Sequence, residues 1–167
     1  MRKFEKISYE QFKKDFSGFE DTEKMYESLK MPRRKTANSA GYDFHSPFDF
    51  VLHPKEIIKV NTGIKVSMEN DDCLMLLDRS STGFKYNIRI CNQVGVIDSD
   101  YYNNIQNEGH ICIALQNEGE KEWIIKKGDS FAQGLFTKYL VVDDEENIKN
   151  NRIGGIGSTN IGGVDNE

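Results

Sequence analysis

The residues of this chain that could do chemistry fall in five short segments, met one after another along it. Gly95-Val96-Ile97-Asp98-Ser99-Asp100-Tyr101 runs two apolar β-formers into two acids and an aromatic ring. A carboxylate at a strand end, such as Asp98, can accept a proton from a water molecule and aim it. Tyr101, three residues on, offers a flat face that suits a sugar ring. Asp43, in Ala40-Gly41-Tyr42-Asp43, is a second carboxylate. It could help place Mg2+, which takes oxygen ligands and keeps several of its waters.

The other segments hold donors. In Arg79-Ser80-Ser81-Thr82-Gly83, followed by Lys85, the guanidinium fork matches phosphate oxygens, and hydroxyls and successive N–H groups complete an anion cradle. Gln133, in Gly128-Asp129-Ser130-Phe131-Ala132-Gln133, is a neutral donor for another phosphate oxygen. The tail Arg152-Ile153-Gly154-Gly155-Ile156-Gly157-Ser158-Thr159 repeats charge, close-approach glycines and hydroxyls. Ordering such a tail costs about 1–2 kcal/mol per residue, so closure needs the charge of a ligand to drive it. Taken singly, each segment has a plain alternative: an acidic surface turn, a solvated arginine, a disordered glycine-rich terminus.

Short strands must carry these groups. Ten are predicted: 42–45, 48–52, 57–60, 63–68, 73–77, 88–92, 94–97, 110–116, 122–125 and 131–142. Ile64, Val66 and Met68 alternate with Lys65 and Ser67, the period of a half-buried strand, and Ile111 to Leu115 is apolar on both faces and belongs inside. Polar turns such as Asn107-Glu108-Gly109 and Asn117-Glu118-Gly119 break them at regular spacing, the pattern of a sandwich or barrel. Before them, Ser8-Tyr9-Glu10-Gln11 reads as a capping box for a helix over 9–17, with Phe12, Phe16 and Phe19 as its apolar face and Gly18 as its stop. The division expected is a helical extension over 1–30, a β-barrel catalytic domain over 31–142, and a linker with a flexible tail over 143–167.

Composition narrows the field. A chain of 167 residues is one domain's worth, and its net charge of −5 lacks the basic footprint of a nucleic-acid binder. No apolar run nears the ~20 residues that cross a bilayer, and no secretory signal follows Arg2 and Lys3. Cys73, Cys91 and Cys112 form no CxxC pattern and read as small core residues in a reducing compartment, the cytoplasm. His45, His53 and His110 lack zinc-ligand spacing, and Trp123 alternates with Ile125 as a core residue would.

In this order the five segments resemble the five motifs of the trimeric dUTP diphosphatases (dUTPases), over about residues 31–160. The resemblance implies an all-β jelly-roll (β-clip) subunit, a homotrimer with interfacial active sites, and Mg2+-dependent cleavage of dUTP to dUMP and pyrophosphate. It implies that Asp98 activates the water that attacks the α-phosphorus, and that Tyr101 packs on the deoxyribose. The hairpin Asn92 to Asp98, with Gly95 and Ile97, would read uracil. Arg79, Ser80, Ser81 and Gln133 would hold phosphates. Arg152, Ile156, Gly157, Ser158 and Thr159 would close over the substrate, and Asp43 would bind the metal through water.

Four departures from the family pattern stand out. Asp78 replaces Pro, Tyr102-Asn103-Asn104 replaces a polar residue and Gly, Ile156 replaces a base-stacking Phe, and Asn160 replaces the last Gly. Because Ile156 lacks a π face, weaker tail closure and a higher Michaelis constant are expected. Two other readings compete. A dCTP deaminase would need a Glu where Cys112-Ile113-Ala114-Leu115-Gln116 has none. A nucleotide-sensing regulatory protein would use the extension and the loop 102–107 to contact a protein partner.

Overall fold

A computed structural model describes residues 1–144. All ten expected strands form, with ends shifted by a few residues, and one more precedes them. In chain order they are β1 (Lys3–Lys6), β2 (Tyr42–His45), β3 (Phe50–Leu52), β4 (Ile57–Asn61), β5 (Ile64–Ser67), β6 (Asp72–Leu77), β7 (Ile88–Ile90), β8 (Gly95–Asp98), β9 (Cys112–Asn117), β10 (Trp123–Ile125) and β11 (Ser130–Lys138). Three helices join them: α1 (Tyr9–Asp15), α2 (Thr22–Glu27) and α3 (Ser80–Tyr86). The strands pair into four small sheets, in the orders β1-β5, β10-β3, β2-β11-β6-β8 and β4-β9-β7, rather than into one closed barrel.

The two inner strands follow from their sequences. β6 is flanked on both sides, by β11 and β8, and its run Cys73-Leu74-Met75-Leu76-Leu77 leaves few polar groups to bury. β9 lies between β4 and β7, as its two-sided apolar run requires. Phe44, Leu74, Ile113, Leu115 and Phe131 are fully buried between the sheets. Trp123 joins them, 5% exposed and edge-on to Phe50.

The extension departs from expectation. Residues 3–6 form a strand paired with β5, so the segment is stitched into the body by a ladder as well as by a helix face. Helix α1 starts at the expected cap, where Ser8 Oγ accepts from the Gln11 N–H at 3.1 Å. The return half of the capping box is missing: Gln11 turns to Asp15, and the Ser8 N–H donates instead to Glu108 Oε2 at 2.9 Å. The helix ends at Asp15, before Gly18, and Phe19 stays partly exposed while Phe12 and Phe16 stack at 4.0 Å inside a second small core with Ile7. The segment Arg79 to Gly83, read as a loop, is the cap and first turn of α3. Of the three cysteines, Cys73 is buried, Cys112 is half-buried with its thiol pushed up to about 11 by burial, and Cys91 is exposed, because it sits at the hairpin tip beyond β7.

Candidate active site

The 2–11–6 part of the largest sheet builds the first half of the site. Asp43 lies on β2, opposite Gln133 on β11. Gln133 in turn lies opposite Leu77, the last residue of β6, and its Nε2 donates to the Asp78 carbonyl at 2.9 Å. One step later Arg79 caps α3. Its Nε stands 3.3 Å from Asp43 Oδ1, and a guanidinium N–H donates to the Ser130 carbonyl at 3.2 Å. Asp43, Arg79, Ser80, Ser81 and Gln133 thus meet around one cleft of about 240 Å3, although they come from three separate stretches of chain. Gly41 makes room for the glutamine: a Cβ there would lie 2.4 Å from Gln133 Oε1.

The cleft is locally basic in an acidic chain. An adjoining cavity of about 470 Å3 shares Lys35, Asp43, Arg79 and Ser81 and adds Lys30, Arg33 and Lys85. Sequence reasoning missed Lys35 and Arg33; the available signal was the run Arg33-Arg34-Lys35. Lys35 Nζ stands 3.3 Å from Asp43 Oδ2, an otherwise buried oxygen with no hydrogen bond. His45, also lining this cavity, is held neutral by burial, which lowers its pKa. The net positive lining suits a polyanion.

The second half of the site sits elsewhere. Gly95, Ile97 and Asp98 belong to β8, and Asn92 to the exposed tip before it, where Gln93 takes a left-handed conformation at φ 62°. In the β6·β8 ladder Asp98 lies opposite Cys73, at the start of β6, whereas Arg79 follows its far end. From Cys73 to Leu77 a strand advances roughly 13 Å, and Arg79 lies beyond that. One subunit therefore does not bring Asp98 to its own Arg79. Tyr101 follows on a single 3-10 turn, Ser99–Tyr101, with its Oη donating to the His110 carbonyl at 3.0 Å and accepting from Asn107 Nδ2 at 2.8 Å. It borders a cavity of about 370 Å3 that is also lined by Gln11, Lys14 and Asp15 of the N-terminal segment. Arg152, Ile156, Gly157, Ser158 and Thr159 lie outside the described residues.

Among the described residues no three His, Cys, Asp or Glu side chains gather to hold a metal by themselves. Asp43, whose buried Oδ2 has no hydrogen bond, would suit Mg2+ held through water. No described helix is long and apolar enough to cross a membrane.

The dUTPase family profile matches residues 27–160. A dUTPase (deoxyuridine 5'-triphosphate nucleotidohydrolase) from Lactococcus lactis is 42% identical over 132 residues, 78% of this chain and 88% of that protein. One from Paramecium bursaria Chlorella virus 1 is 36% identical over 145 residues, 83% and 95% of the two chains. Among solved structures, the dUTPase of Streptococcus mutans superposes with a TM-score of 0.66 at 35% identity, over 84% of this chain and 98% of its own. The fold also matches a phage phi11 dUTPase of S. aureus described with a structural Mg(II) ion, TM-score 0.63 at 19% identity, over 90% and 97%.

Proposed function

The chain belongs to the dUTPase family and is a dUTP diphosphatase, and on that premise we propose how its residues share the reaction. Asp98 takes a proton from a water molecule, and that water attacks the α-phosphorus. The bond to the bridging oxygen breaks, dUMP remains and pyrophosphate leaves. Such transfer needs an aligned nucleophile and neutralised charge more than covalent help. Arg79, Ser80, Ser81 and Gln133 supply the neutralisation, with Lys35 beside them. Incoming phosphates compete for Lys35 and Arg79; Asp43 would hold Mg2+ through water, and the ion would supply further offset of phosphate charge.

Selection falls to the other half. The hairpin from Asn92 through Gly95 and Ile97 meets uracil, and a site built for its donors and acceptors leaves polar groups unpaired when cytosine enters, a costly mismatch. Tyr101 lies against the deoxyribose and leaves no room for a 2′-hydroxyl. Arg152, Ile156, Gly157, Ser158 and Thr159 close over the bound nucleotide.

The observation that carries this assignment is the convergence of Asp43, Arg79, Ser80, Ser81 and Gln133 on one basic cleft, with Asp98 at the opposite end of β6. It also supports the reading of a homotrimer in which the cleft of one subunit would face Asp98 of another. Exposed Val96, Leu140, Val141 and Val142 give such an interface its apolar area. The test offers each common nucleoside triphosphate with Mg2+ and measures pyrophosphate release. Activity on dUTP alone is expected, with Asp98→Asn lowering kcat about 10²–10⁴-fold while nucleotide binding persists. Full turnover by Asp98→Asn would remove the carboxylate from the reaction.

A further inference from the structure

We propose that the N-terminal segment, residues 3–15, is a clamp that positions Tyr101 and thereby sets the discrimination between deoxyribose and ribose. The inference rests on the reading of Tyr101 as the residue against the sugar. It concerns residues that precede the family match, which starts at 27.

The contacts form two layers that meet in one loop, residues 102–110. On its inner side the loop holds the tyrosine. The His110 carbonyl accepts from Tyr101 Oη, Asn107 Nδ2 donates to the same oxygen, and Asn104 Nδ2 donates to the Tyr101 carbonyl at 2.8 Å. On its outer side the N-terminal segment grips the loop at three points. Tyr102 Oη donates to Glu5 Oε2, from β1. The Ser8 N–H and Oγ both donate to Glu108, which also accepts from Lys65 Nζ at 3.2 Å. Asp15, at the end of α1, meets His110 Nδ1 at 2.6 Å.

His110 is the hinge pin between the layers. It is 3% exposed, and its Nε2 accepts from the Gly63 N–H at 2.7 Å, which leaves the ring proton on Nδ1 for Asp15. The ring that answers to Asp15 and the carbonyl that answers to Tyr101 belong to one residue. The loop has bonds of its own but one strained point, Glu108, which sits at φ 59°, a left-handed conformation that a glutamate keeps only where its surroundings constrain it. Ser8 and Lys65 on Glu108, with Lys65 again on Asn103 Oδ1 at 2.7 Å, are that constraint. A sugar gate works by tenths of an ångström, and small misplacements in such sites cost rate steeply.

The experiment compares kcat/KM for dUTP and UTP in the full-length chain. Asp15→Ala is expected to lower the dUTP-to-UTP ratio roughly tenfold. Asp15→Asn, which keeps an acceptor for the His110 N–H, should stay within about twofold of wild type. Leu52→Ala, a core truncation on the β3–β10 pair away from the loop, controls for lost stability and should leave the ratio unchanged. Glu5→Ala removes the Tyr102 tether at the edge together with an exposed pair to Lys3, so it reads the clamp even if Asp15→Ala does not fold, and a drop of about threefold is expected. Tyr101→Ala separates the two claims. If it collapses the ratio while Asp15→Ala and Glu5→Ala leave it intact, the clamp is overturned and the gate stands. If Tyr101→Ala leaves the ratio intact, the gate falls and the clamp with it. An equal drop in Leu52→Ala would also overturn the proposal.

Discussion

Asp43 and His110 are both buried, and each is settled by what stands beside it. Asp43 is buried between two cations at 3.3 Å, and a charge left unpaired there would cost several kcal/mol. His110 is settled the other way. Burial lowers its pKa and Lys59 adds to that, while Asp15 and Glu108 pull it back without winning. The unfolded chain, with an ordinary imidazole near pH 6.5, then binds a proton first as the pH falls. Stability is complete above about pH 6.5 and declines as the pH drops through that value and on through the lower folded-state pKa. The melting temperature is expected to fall from pH 7.5 to 5, and to fall less steeply in His110→Gln; parallel curves for the two proteins would contradict this. His45, also lowered by burial, adds a parallel decline that the variant keeps. Ile156 makes a second case at this scale. Ile156→Phe restores a ring to stack on the base and should lower the Michaelis constant for dUTP severalfold, since stacking on a base contributes about 1–3 kcal/mol. A constant unchanged or raised in steady-state kinetics would count against a base-covering role.

Helix α1 has only seven residues, too short to persist alone, and it is stable because its Phe face is buried. Phe12 and Phe16 contribute about 1.5–3 kcal/mol each on that count. Docking also needs Gly63. At φ 75° it lies in the left-handed region, and a Cβ there would meet Leu29 at 2.6 Å and Phe12 at 3.1 Å. Gly63→Ala is therefore expected to cost about 1–3 kcal/mol. The loss should appear as faster amide exchange across α1 before the main sheets loosen. Uniform destabilisation, with α1 protected as long as β6, would show that the segment does not dock as a separate unit. Glu108 reports on the same junction. Burial would raise its pKa, but the hydrogen bonds from Ser8 and Lys65 outweigh that and hold it below the usual carboxylate range. The extension and the loop 102–107, two surfaces expected from sequence to face a regulatory partner, are thus tied to one another.

For the whole molecule, the separation along β6 makes a quantitative demand. If each site takes Asp98 from one subunit and Arg79 from another, neither Asp98→Asn nor Arg79→Ala alone retains activity. Subunits mixed and reassembled in equal amounts should then recover about a quarter of wild-type turnover, since about half the sites receive a sound Asp98 and, independently, about half a sound Arg79. No recovery after verified exchange would place both residues in one chain's site. What the sequence determined by itself was the β architecture and the chemical inventory. Strand periodicity and motif order are local signals, and the core residues Ile113, Leu115 and Trp123 were legible in them. Only the tertiary structure decided the rest. That residues 3–6 become a strand depends on the open edge of β5 sixty residues away. That Ser8 prefers Glu108 to Gln11 depends on a loop one hundred residues away. Arg79 and Asp98 look close in the chain, yet an antiparallel ladder sends them to opposite ends of one strand, because pairing register and not sequence distance sets where side chains meet.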